Sequence, residues 1–163
     1  MKKLMFLFGV VAILFTTSCI KGPTSGGKSE GTFVGKLVVT DVDSGEVTYT
    51  IDDAEVVVTI PNILQPKFDI LFKKVKFAEA MPVELNLELK DIPFIQTVSE
   101  DGKAINYVFE AKNIIPTGFE EYPIDKVWGS IGGVVDIQFD MERKSKYYHV
   151  GFKAGDTTSE SAL

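Results

Sequence analysis

The sequence has one cysteine and one histidine among 163 residues. A single cysteine excludes an internal disulfide, and a single imidazole excludes a metal or catalytic site built on several. Basic residues are in deficit: 17 Lys and Arg face 23 Asp and Glu, a net charge of −6. Nucleic-acid binding needs Lys and Arg clustered on one face, and this balance argues against it. Long apolar runs are scarce. Leu4 to Phe15 is 12 uncharged residues, short of the ~20 that cross a bilayer as a helix. A phosphate loop is missing too, because no Gly-Lys-Ser/Thr follows Gly129-Ser130-Ile131-Gly132-Gly133. What is present is 45% hydrophobic and 25% charged, an ordinary balance for one folded domain.

The N-terminus reads as an address. Lys2 and Lys3 precede the apolar run, and Thr16-Thr17-Ser18 leads directly into Cys19. This arrangement resembles a lipoprotein signal peptide over residues 1–18, cleaved before Cys19. The only cysteine stands where a lipid anchor needs one. Cys19 is therefore expected to carry a diacylglycerol thioether and to tether the protein to a membrane. Cleavage leaves 145 residues and, with Lys2 and Lys3 gone, a net charge of −8. Residues 19–31 are rich in Gly and Ser and read as a flexible tether. No acidic cluster follows Cys19, which favours the periplasmic face. The expected location is the cell envelope, at the outer membrane.

From residue 32 to 155 the dominant period is two. Val83, Leu85, Leu87 and Leu89 alternate with Glu84, Asn86, Glu88 and Lys90, a half-buried strand. Val135, Ile137, Phe139 and Met141 alternate with Asp136, Gln138, Asp140 and Glu142. Further strands are predicted around Phe33–Thr40, Glu55–Ile60, Lys67–Phe77, Ile105–Glu110, Tyr122–Ile131 and Lys146–Lys153, with 46–51 as a further short pairing segment. In the Lys67–Phe77 strand the apolar face switches at Lys73-Lys74, which predicts a bulge. Turn residues separate the strands, Ser99-Glu100-Asp101-Gly102 most clearly. Residues 156–163 read as a disordered tail. Short sequential connections favour an all-β, eight-stranded antiparallel up-and-down barrel over a two-sheet sandwich.

Four segments carry a family likeness: Gly31-Thr32-Phe33-Val34-Gly35, the Lys-x-x-Phe-x-x-x-Met-Pro stretch from Lys74 to Pro82, Gly129 to Gly133, and Gly151-Phe152-Lys153. With the lipoprotein signal they resemble the calycin-like β-barrel lipoproteins of Gram-negative anaerobes over residues 31–155. The resemblance implies a short lipocalin-type barrel and transfers no catalytic motif.

The apolar faces carry no Asp, Glu, His, Lys or Arg, so an interior built from them holds no general acid or base. No enzymatic activity, cofactor or metal is expected. Asp52-Asp53-Ala54-Glu55 offers oxygen ligands without the spacing of an EF-hand. His149 falls on a polar face, and the alternating Asp136, Asp140 and Glu142 read as solvating charges. Binding remains. Phe68, Phe72, Tyr107, Phe109, Phe139, Tyr148 and Phe152 either fill the barrel or line a site for a small apolar or amphipathic ligand in it or at its mouth. Trp128 shares a face with Lys126 and Ser130 and is expected near a rim or at a contact. The alternative is an envelope structural or interaction protein whose filled barrel meets a protein or glycan on its outer surface.

Overall fold

The computed structural model describes residues 29–98, 102 and 104–155. The signal segment, Cys19, most of the tether, the hairpin tip at 99–101 and the 156–163 tail lie outside the described residues. Eight strands run in chain order: β1 (Gly31–Asp41), β2 (Val47–Thr59), β3 (Lys67–Val75), β4 (Leu85–Val98), β5 (Ile105–Ile114), β6 (Ile124–Ile131), β7 (Val135–Arg143) and β8 (Lys146–Ala154). Each pairs antiparallel with the next, and β8 pairs with β1, so the sheet closes as an up-and-down barrel. Closure leaves no exposed sheet edge.

Alternation decides the inside. Leu37 and Val39 on β1, Phe68, Ile70 and Phe72 on β3, Ile137 and Phe139 on β7, and Val150 and Phe152 on β8 are all fully buried. Among the described residues the only buried polar or charged side chain outside the tyrosines is Asp41. The outer wall carries ion pairs instead, including Lys36–Asp52 at 3.1 Å, Lys73–Glu55 at 2.9 Å and Lys126–Glu110 at 3.1 Å. This apolar inside and charged outside is the reverse of a membrane-spanning barrel, where each outward Lys or Arg at mid-bilayer costs roughly 2–4 kcal/mol.

Five register shifts interrupt the pairings of the described strands, and three of them bear on the predicted alternation. On β3 the predicted face switch is present: Phe72 pairs with Leu87 but Val75 with Leu85, and Lys74 takes a φ of 55°. Asn86 Oδ1 accepts the Lys74 N–H at 3.1 Å. On β4, Leu89 pairs with Ile70 and Ile92 with Phe68, so one extra residue is absorbed around Asp91, at φ 59°. The strand then runs past Lys90, where the alternation stops, to Val98. On β2, Ala54 faces Gly35 and Ile51 faces Leu37. The predicted Glu55–Ile60 strand and the 46–51 segment are thus one strand, joined across a bulge at Asp52-Asp53. Val83, expected inside, precedes β4 and is exposed.

Tight approach explains two glycines. A Cβ on Gly35 would overlap the Lys153 carbonyl, and one on Gly129 (φ 156°) the Asp136 carbonyl. Both lie at inward positions where neighbouring backbone presses across the barrel wall.

The ends differ. At the far end the 76–84 and 115–123 connections bring in buried Phe77 and Tyr122, whose rings lie 5.7 Å apart. The Arg143 guanidinium covers Tyr122 at 4.6 Å. Asp41 closes the β1–β2 hairpin there: its Oδ1 accepts the N–H groups of Asp43 and Ser44, both at 3.0 Å. The Ser44 N–H bond, aided by those of Asp43 and by Lys146, holds its carboxyl below the ordinary range against the effect of burial. A depressed carboxyl adds stability above its unfolded pKa, and that stability is lost as pH falls through the folded value, below about pH 4. Asp41→Asn keeps the acceptor and removes the titration. Urea midpoints followed from neutral pH into acid should fall less steeply for the variant than for the wild type.

Candidate functional site

Seven of the eight aromatic candidates point inward. Phe68 stacks on Phe94 with ring centroids 4.2 Å apart and meets Tyr107 and Phe109 edge-on, each at 6.1 Å. Phe72 meets Phe139 edge-on at 5.1 Å. Tyr148 lies 6.2 Å from Phe77 at the far end. Phe68, Phe72, Phe139 and Phe152 are fully buried, Phe109 nearly so, and Tyr107 and Tyr148 half-buried against the same core. Such edge-to-face and offset pairs add ~0.5–1.5 kcal/mol each beyond their burial. These side chains occupy the lumen.

Trp128 alone of the eight faces outward, and the barrel register sets its neighbours. Across β5, β6, β7, β8 and β1, one row of outward residues reads Glu110, Trp128, Gln138, Gly151 and Val38. The row on one side reads Ile95, Val108, Ser130, Asp136, Lys153 and Lys36, beginning on β4. The row on the other reads Lys112, Lys126, Asp140, His149 and Thr40. Residues of β5 and β7 thus flank the indole directly, and β8 and β1 carry the same rows further around the wall.

Polar partners fix this surface. Lys126 Nζ stands 5.0 Å from the Trp128 ring centre and 3.1 Å from Glu110. The His149 ring lies 5.7 Å from the indole. Its Nδ1–H donates to Asp140 Oδ1 at 2.7 Å, since an ionised carboxylate only accepts. The Gln138 amide donates to Asp136 Oδ1 at 2.9 Å, and Lys153 Nζ lies 3.3 Å from the other Asp136 oxygen. The side chains that rim the indole are therefore held in place by one another.

Three grooves follow one another along this wall. The largest, about 580 Å³, has Pro93, Ile95, Val108 and Trp128 on its apolar side and Glu110, Ser130, Asp136 and Gln138 on its polar side. A second, about 300 Å³, lies over Gly151, where no side chain fills the row, between Lys36, Gln138, His149 and Lys153. A third, about 380 Å³, runs between Asp125, Asp140, Tyr147 and His149. Gln138 borders the first two and His149 the last two. The Glu142 carboxylate raises the Tyr147 hydroxyl pKa. Together the grooves form an amphipathic track around the wall, within the size range of small-molecule sites.

The other sequence candidates stand apart from it. Asp52 and Glu55 are each tied to a lysine, and among the described residues no group of three His, Cys, Asp or Glu is placed to hold a metal. Cys19 lies outside the described residues. Sequence reasoning missed Gln138 and Gly151 as site residues. Their only local signal is outward parity on β7 and β8, and the register that joins them to Trp128 is a property of the closed sheet.

No family model and no curated protein sequence matches this chain. Among solved structures it is similar to a "putative outer membrane protein" of Bacteroides fragilis NCTC 9343, at 16% identity and a TM-score of 0.56. The match covers 78% of this chain and 50% of the other, so this chain spans about half the length of that protein. At that identity the likeness is one of fold: a closed, antiparallel, eight-stranded β-barrel.

Proposed function

We propose that this protein is a lipid-anchored envelope lipoprotein of the calycin-like barrel type that binds a glycan, without turnover, on the outer wall around Trp128. One observation carries the reading: the single tryptophan of the chain stands half-exposed in the largest of these grooves, while the other candidate aromatics fill the barrel. A sugar ring has an apolar face of C–H groups and a rim of hydroxyls. The first packs on an indole, and the second matches the carboxylates, amide and imidazole beside it. A track crossing several strands suits a chain of such rings. The lipoprotein-type N-terminus and the outer-membrane description of the Bacteroides neighbour support an envelope location. An apolar ligand inside the lumen would have to displace Phe72, Phe139 or Phe152, which are fully buried.

An array of bacterial and plant oligosaccharides, followed by titration of tryptophan fluorescence, tests the reading. Trp128 is the only tryptophan, so its emission reports the groove alone. A bound oligosaccharide should shift that emission saturably. Trp128→Ala removes the fluorophore and is read by calorimetric titration; it should weaken binding at least about tenfold, or ~1.4 kcal/mol, with an unchanged urea midpoint. Absence of any oligosaccharide response, together with an apolar molecule co-purifying with the protein, would overturn it.

A further inference from the structure

The barrel end at which the chain enters β1 has an apolar rim. Its β2–β3 connection is Pro61-Asn62-Ile63-Leu64-Gln65-Pro66, without a charge. Ile63 is 93% exposed and Leu64 87%. Turn tips ordinarily carry Gly, Asn, Asp or Ser, so two large aliphatic residues there are exceptional. The loop is held in shape: Asn62 Oδ1 accepts the Leu64 N–H at 3.0 Å, and the Asn62 carbonyl accepts the Gln65 N–H at 2.9 Å. Val98, ending β4, and Val134, in the uncharged Gly132-Gly133-Val134 hairpin, are 61% and 60% exposed at the same end. Of the three hairpins there, only the one between β4 and β5 contains charged residues. The far end also exposes Val42, Val83 and Ile115, but its connections carry Asp43, Glu46, Glu120 and Glu121.

We infer that this rim rests on the lipid surface, with Ile63 and Leu64 inserted at the headgroup–acyl boundary. The proposal builds on the lipid anchor at Cys19, and the position of the tether selects a membrane as the occupant. Gly31 pairs with Val58, and the Glu30 carboxylate accepts the Ile60 N–H at 3.3 Å. The chain from Cys19 therefore arrives beside the Ile63–Leu64 loop. Eleven residues, or twelve Cα-to-Cα steps, separate Cys19 from Gly31. They reach at most about 40 Å extended, and about 20 Å as a Gly-rich coil. Anchoring at that distance makes rim contact an intramolecular event with an effective concentration in the ~mM range, so a few aliphatic side chains suffice. With the rim down, the acidic far end points away from the membrane and the Trp128 wall stands roughly upright, open to a glycan from the side.

The test uses the full-length lipidated chain in phosphatidylethanolamine–phosphatidylglycerol vesicles. Thioether formation consumes the Cys19 thiol, so Leu64→Cys introduces the only free thiol, and an environment-sensitive fluorophore is attached there. Nitroxide-labelled lipids should quench that fluorophore by more than half. The same probe at Ser44→Cys, at the far end, should stay unquenched. Adding Ile63→Asp to the Leu64→Cys chain should abolish the quenching and leave the protein sedimenting with the vesicles. Equal, weak quenching at both sites overturns the proposal. So does a Leu64 probe that shifts with protein concentration in the absence of vesicles, which would make the rim a contact between copies of this chain. If the lipid anchor itself is wrong, the wild-type chain stays in the supernatant and mass spectrometry finds an unmodified Cys19. Failure of the anchor is thereby distinguished from failure of the rim.

Discussion

Phe139→Ala is expected to destabilise the barrel by about 3–5 kcal/mol. At this domain size that corresponds to a fall in Tm of roughly 10–20 °C. Phe139 is fully buried and meets Phe72 edge-on at 5.1 Å. Its strand is paired on both sides, with Val127 opposite on β6 and Val150 on β8. Walls fixed by a closed hydrogen-bond ladder cannot collapse into the space, so the cavity term is close to its full value. Phe139→Leu keeps most of the volume and should cost about 1–1.5 kcal/mol. The vacated space is lined by apolar groups, so it should stay dry and admit xenon or benzene. Urea unfolding gives the first result and xenon-pressurised crystals the second. A loss below ~1 kcal/mol, or xenon already bound in the wild-type lumen, would show that the interior is not filled.

Cys19→Ser should move the protein from the membrane fraction to the soluble fraction almost completely. Each buried methylene of an acyl chain contributes ~0.8 kcal/mol, and a multiply acylated cysteine holds far more tightly than a single chain. The rim residues Ile63, Leu64, Val98 and Val134 are too few to hold the protein alone without that anchor. The net charge of −6 adds repulsion from anionic lipid. Fractionation of cells expressing wild type and variant, with mass spectrometry of the N-terminal peptide, reads both location and acylation. A variant that still sediments with membranes would contradict the anchor.

The eight strands and their closure were legible because alternation survives in most of them. In β7 the inward set Val135, Ile137, Phe139 and Met141 is unbroken. The Lys73-Lys74 bulge was also legible, since apolar parity flips there in the sequence itself. Bulges absorbed by polar residues were harder to read. Asp91 breaks the β4 pattern and Pro93 follows it, so the strand looks finished at Lys90. Asp52-Asp53 likewise splits β2 into two apparent pieces. For the site, parity placed Trp128 outward. It could not separate aromatic side chains that line a space from those that fill one, because that depends on how closely Phe72, Phe139 and Phe152 approach across the lumen. The rows that bring Gln138, His149 and Gly151 to Trp128 depend on the register of two pairings, β6–β7 and β7–β8, which no single segment encodes. The Ile63-Leu64 tip carries no signal in the sequence, because isolated aliphatic residues in a loop acquire meaning only beside the point where the chain enters the barrel.

The most direct test follows side-chain NMR signals of the full chain while a binding oligosaccharide is added. Neighbouring residues on one strand point to opposite sides of the wall. The account predicts that signals of Trp128, Gln138 and His149 move, while those of Val127, Phe139 and Val150, one residue away and facing inward, stay in place. Movement confined to the inward set would put the ligand inside the barrel and contradict the account.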